Sequence, residues 1–116
     1  DNYQRFLDQP TLGPAATAEI LAIPEIWQKR AFSILDLSKF QFAGGQLFDA
    51  EFVGGDPFLL LGENPFSVDY FALQALTSAR EKRGLKARRV EDVLMFRYAK
   101  ELGLGDVKDA KLFDLP

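Results

Sequence analysis

The chain has 116 residues, 47% of them hydrophobic and 27% charged, with a net charge of −3; this fits one globular domain, or a piece of a larger one, with a small core. It contains no Cys and no His, which excludes disulfides, thiolate zinc sites, an iron–sulfur cluster held within this chain, a cysteine nucleophile and a serine–histidine mechanism, and leaves oxygen ligands for any divalent cation. The acidic balance argues against nucleic acid or an anionic membrane as partner, no apolar run reaches the roughly 20 residues of a bilayer span, and residence in the cytoplasm is the expectation.

In chain order, "DNYQRFLDQP" offers one or two helical turns closed by Pro10, and "TLGP" is a turn signal. Residues 15–30, "AATAEILAIPEIWQKR", are rich in helix formers but carry Pro24. Proline clashes with the preceding turn, so the pattern predicts one helix over 14–22 and a second starting at Pro24 and running to Arg30. "AFSILDL", residues 31–37, is a strand candidate that ends near Asp36. Two Gly pairs follow, Gly44–Gly45 and Gly54–Gly55, as expected of turns or close backbone approach. Between them "QLFDAEFV" suits a strand or an extended loop.

"PFLLLG", residues 57–62, is a short apolar run bounded by turn residues. Such a run fits a strand covered on both faces, as in a parallel sheet. Asn64 is placed to cap a helix and Pro65 to begin it. Val68, Phe71, Ala72, Ala75, Leu76 and Ala79 then recur at helical spacing to about Arg83, and Gly84 stops the helix. "REKRGLKARR", residues 80–89, is a basic run without aromatic residues, so base stacking on it is not expected. A last helix is predicted from about Val90 to Gly103, and "KLFDL" is an edge-strand or tail candidate. The order of elements reads as α/β: a small parallel or mixed sheet with packed helices, part of a larger sheet, forming residues 1–116 as a single domain or the C-terminal part of one.

If strands 31–37 and 57–62 are parallel neighbours, Asp36 and the Gly62–Asn64 turn share one sheet edge, where open α/β sheets bind ligands. Asp69 lies in the second turn of the following helix and could face that edge. The two carboxylates Asp36 and Asp69 are then the candidate metal ligands, with turn amides for an anionic group. The competing structural reading makes Asn64 a cap and Asp69 a residue favoured by the helix dipole.

The segments "ILD", "FAGG", "GENPFSVDYFA" and "YAKELGLG", in this order, resemble the C-terminal half of the domain of unknown function 362 family over roughly residues 31–105. The positions that match are Asp36, Gly44, Gly45, Asn64, Pro65 and Asp69. The resemblance implies an α/β domain associated with ferredoxin-like iron–sulfur modules, with ligand-binding roles at Asp36, Gly44, Gly45, Asn64 and Asp69. It implies as partner an iron–sulfur module or the missing N-terminal half of the domain, and it assigns no reaction.

Three functions follow as expectations. One is a ligand- or metal-binding domain of a redox-associated protein, with a divalent cation on Asp36 and Asp69. The second is a non-catalytic interaction or assembly domain that docks a partner through an aromatic surface; the 11 Phe residues include, on this view, some that cover a missing neighbour. The third and weakest is anion or RNA binding through Lys82, Arg83, Lys86, Arg88 and Arg89.

Overall fold

The computed structural model describes residues 12–115; the helical turns expected over residues 1–10 lie outside them. The described chain is mixed α/β, and it divides into two compact units, residues 12–30 with 93–115 and residues 31–92.

The first unit is helical. Helix α1 (Leu12–Leu21) starts two residues earlier than the 14–22 expected, with Gly13 and Pro14 in its first turn. A first-turn N–H has no helical partner to lose, so proline fits there. Helix α2 (Pro24–Trp27) begins on Pro24 as expected but stops short of Arg30. The last helix, α4 (Leu94–Glu101), packs against α1. Ala18 and Ala99 are both fully buried, joined in the core by Phe96, Leu104 and Val107. Gly103 adopts φ 77°, and Leu104 N–H donates to Ala99 O at 2.8 Å, closing α4 through a left-handed glycine. Residues 111–115 have no regular structure, so "KLFDL" is a tail rather than a strand.

The second unit holds two ribbons. Strands β1 (Ser33–Asp36) and β4 (Leu59–Gly62) pair with each other, and β2 (Phe40–Gln41) pairs with β3 (Val53–Gly54). The adjacency of the two longer strands is as expected; their direction is not. They run antiparallel, with Ser33 opposite Gly62 and Asp36 opposite Leu59, and no parallel sheet is present among the described residues. The connection over residues 37–58 makes this possible. It contains a second ribbon and one turn of 3-10 helix (Ala50–Phe52) rather than the helical crossover a parallel pair needs. The undecided "QLFDAEFV" segment is thus loop, 3-10 turn and the start of β3.

Helix α3 (Pro65–Lys82) lies across one face of the β1–β4 ribbon. Its stripe meets the sheet as the spacing predicts: Val68, with Phe71, Ala72 and Ala75 beside it, packs on Leu37, Leu60 and Leu35. The sharp strand-to-helix junction has two local causes. Asn64 Oδ1 accepts from Phe66 N–H at 3.0 Å with Pro65 in the first turn, so one orphan amide is satisfied and the helix axis is fixed at its origin. Gly62 leaves the space the helix needs, since a Cβ there would sit 2.8 Å from Val68 Cγ2.

Candidate functional site

The antiparallel register separates the residues expected to share an edge. Asp36 lies at the Leu59 end of the ribbon, three residues along β4 from Gly62. That is about 10 Å at the rise of a strand. The faces differ as well. In β1, Ser33 and Leu35 are half-buried while Ile34 and Asp36 are exposed; in β4, Leu60 is buried while Leu59 and Leu61 are exposed. Leu35 and Leu60 lie against α3, so Asp36 belongs to the opposite face. Asp69, on α3, is on the helix side. The expectation of one shared sheet edge therefore fails, because it required parallel strands.

Each carboxylate has its own setting. Asp36 Oδ1 accepts from Ser38 N–H at 2.8 Å, and bonds from the Ser38 backbone and side chain hold Asp36 below the usual carboxylate range. Asp69 has no such donor driving it. Its residue surface is largely open, but neighbouring atoms displace water from the carboxyl and push it above the ordinary range. Among the described residues no group of three or more His, Cys, Asp or Glu gathers as a metal site.

Gly44 and Gly45 lie in the β2–β3 connection with φ of 89° and 81°, a region where L side chains are strained. The loop is held from inside by one residue that the sequence did not single out. Gln41 Nε2 donates to Gly45 O (3.2 Å) and Leu47 O (2.9 Å), and Gln41 Oε1 accepts from Asp49 N–H (2.9 Å). Asp49 in turn caps the 3-10 turn by accepting from Glu51 N–H. Behind the loop, Phe42 meets Phe52 edge-on, with ring centroids 5.9 Å apart. The tip formed by Leu47 and Phe48 remains 83% and 72% exposed. Sequence reasoning passed over this pair; two large apolar residues inside a Gly- and Asp-rich stretch were the available signal.

The basic run is largely occupied in holding the unit together. Arg80 donates to Phe42 O and Lys86 O, both at 2.8 Å. Arg83 bonds Glu51 O at 3.0 Å and pairs with its carboxylate at 3.3 Å, and Arg89 pairs with Asp92. Thr77 Oγ1 donates to Arg88 O at 2.7 Å, so residues 85–89 return along α3. A recess of about 370 Å³ lies beneath this return, lined by Arg80, Lys86, Ala87, Arg88 and Asp92.

The most unusual surface is the uncovered face of the β1–β4 ribbon. Ile34, Leu59 and Leu61 keep 60%, 62% and 61% of their area exposed, and Phe32, just before β1, keeps 61%. Ile34 stands directly opposite Leu61. An antiparallel pair with one solvated face ordinarily alternates apolar inward with polar outward. Here both faces of the paired strands are apolar; among the paired residues Asp36 is the one acid on the outer face, and exposed Glu63 follows Leu61 by two residues at the other end. No helix among the described residues is long and apolar enough to cross a membrane. The chain matches no protein-family model, no curated protein and no solved structure.

Proposed function

We propose that this chain is a non-catalytic assembly domain that docks through the outer face of its β1–β4 ribbon, and that the occupant of that face is a second copy of the chain. The observation that carries the reading is the apolar outer face of Ile34, Leu59 and Leu61, with exposed Phe32 immediately before the strand. Four side chains of this size, each some three-fifths exposed, offer on the order of 400 Å² of contiguous apolar surface, within the range at which such patches on a monomer are functional. The opposite faces on which Asp36 and Asp69 lie weigh against one cleft for a cation or substrate.

Charge favours a second copy over a foreign partner. Among its paired residues the outer face carries one acid, Asp36, at one end, and exposed Glu63 follows Leu61 at the other. Three residues further on, the exposed Lys39 stands with its ammonium 6.0 Å from the Phe48 ring. Each copy thus brings both members of a complementary pair. The test is sedimentation velocity on the full chain over a wide concentration range, beside Ile34→Asp. The parent should associate reversibly and the variant, with an unchanged far-UV spectrum, should remain monomeric. A parent that stays monomeric at every concentration defeats the proposal.

A further inference from the structure

The geometry points to the Leu47–Phe48 tip as the plug of this self-association, seated on the Ile34–Leu61 face of the partner copy. The inference rests on the assembly reading above and adds the residues that complete its interface.

Area is the first reason. A stable complex commonly buries about 800 Å² per partner, roughly twice what the ribbon face provides. Leu47 and Phe48 are 83% and 72% exposed, and side chains of this size contribute on the order of 150 Å² each. Face and tip together bring each copy to roughly 700 Å². A two-fold pairing uses both patches twice, tip onto face and face onto tip, and closes without leaving a patch over.

Preorganisation is the second. Two neighbouring large apolar side chains on a loose loop would fold back on the protein. This loop cannot do so readily, because the Gln41 side chain holds three of its backbone groups and Gly44 and Gly45 set its path. A rigid loop that holds an aromatic side chain in water loses little entropy when that side chain is buried.

Position and charge are the third. Lys39 connects the two patches. It follows Asp36 by three residues, a span of about 10 Å at most, and its ammonium lies near the Phe48 ring. Lys39 thus stands in sequence beside the Asp36 end of the face and in space beside the tip. When the tip of one copy meets the face of the other, Lys39 of the first comes to Asp36 of the second. A membrane is a poorer fit for this tip: two side chains offer less apolar surface than a single myristoyl chain, which anchors only marginally.

The experiment uses the full chain and five variants, each checked by far-UV circular dichroism. In sedimentation velocity, Phe48→Asp should abolish association as completely as Ile34→Asp; Leu47→Asp serves as a second tip variant in case the first does not fold. Asp36→Lys and Lys39→Asp should each associate at least tenfold more weakly than the parent. An equimolar mixture of these two should recover association, because opposite charges then meet at both contacts of the mixed pair. A purely structural role for either residue gives no such recovery. If the parent and Phe48→Asp associate alike while Ile34→Asp is monomeric, the plug is wrong and the assembly reading stands. A mixture no tighter than its components also overturns the plug geometry. A monomeric parent overturns both, and binding of Phe48-dependent character to anionic vesicles by a monomeric parent would make the tip a membrane contact instead.

Discussion

Gly62→Ala is the sharpest test of how α3 meets the sheet. The added Cβ would lie 2.8 Å from Val68 Cγ2, well inside van der Waals contact. Val68 is 5% exposed and packs on Leu37 and Leu60, and a β-branched side chain in a helix has one strongly preferred rotamer. Neither partner can turn aside, so α3 must lift from the ribbon. Overpacking of this kind costs about 1–3 kcal/mol. Gly62 does not adopt a positive φ, so alanine also stiffens the unfolded chain and returns about 0.4–1 kcal/mol. The net expectation is a loss of about 1–2 kcal/mol, read as a lower urea midpoint with an unchanged slope. Val68→Ala alone should cost about 2 kcal/mol for the buried methyl groups it removes. In the double variant the clash disappears, so the two losses should fall short of additivity by about 1 kcal/mol. A Gly62→Ala protein as stable as the parent, or strictly additive losses, would refute the close approach.

Further measurements follow from the same contacts. Asn64→Ala should cost about 1 kcal/mol in thermal or urea unfolding, because Phe66 N–H loses its side-chain acceptor. Arg80→Gln removes donors from Phe42 O and Lys86 O; it should lower stability by about 1–2 kcal/mol and speed amide exchange over residues 85–89. Asp69 is held above its ordinary value of 3.8 by loss of hydration, so the folded state binds this proton more tightly than the unfolded state. Stability is accordingly lost as pH rises from that ordinary value through the raised one, and Asp69→Asn should gain on the parent above this window while matching it below. Millimolar magnesium or calcium should shift the melts of the parent and Asp69→Asn equally, since Asp36 and Asp69 lie on opposite faces; a shift specific to the parent would restore a cation site there.

The elements that were legible are those fixed by local chemistry. Asn64–Pro65 announces a helix start because cap and proline act within one turn, and Gly84 and Gly103 announce stops because each supplies a left-handed residue at the end. The stripe from Val68 to Ala75 met the core it predicted. Strand direction was not legible. An all-apolar "LLL" is the pattern of a strand covered on both faces, and that pattern suggested a parallel sheet. The outer face is apolar and, among the described residues, open, and nothing in three leucines distinguishes a covered face from an open one. The site assignment failed for the same reason, because placing Asp36 beside Gly62 depended wholly on direction. Gly44 and Gly45 looked like a ligand loop, and the structure gives them a conformational reason to be glycine. Gln41 left no trace in the sequence, since a glutamine that staples a loop reads like any polar residue.

The two ribbons are concentric: the inner joins residues 40 and 54, the outer joins 33 and 62. Their junction is tight, for Asp56 N–H donates to Leu37 O at 2.8 Å and a Cβ on Gly55 would meet Ser38 O. This nesting bears on how quickly the unit can assemble. Loop-closure entropy rises only slowly with length, by about 0.6 kcal/mol per doubling. Once the inner ribbon has closed, however, the outer strands need search almost no further, because the chain ends leaving the junction already run side by side. Pairing can then proceed outward like a zip, from Leu37–Phe58 to Ser33–Gly62, and delivers Gly62 with α3 behind it to the growing sheet. A parallel arrangement of the same strands would have had to close its long crossover before gaining a single ladder bond, the slower route for a chain of this size.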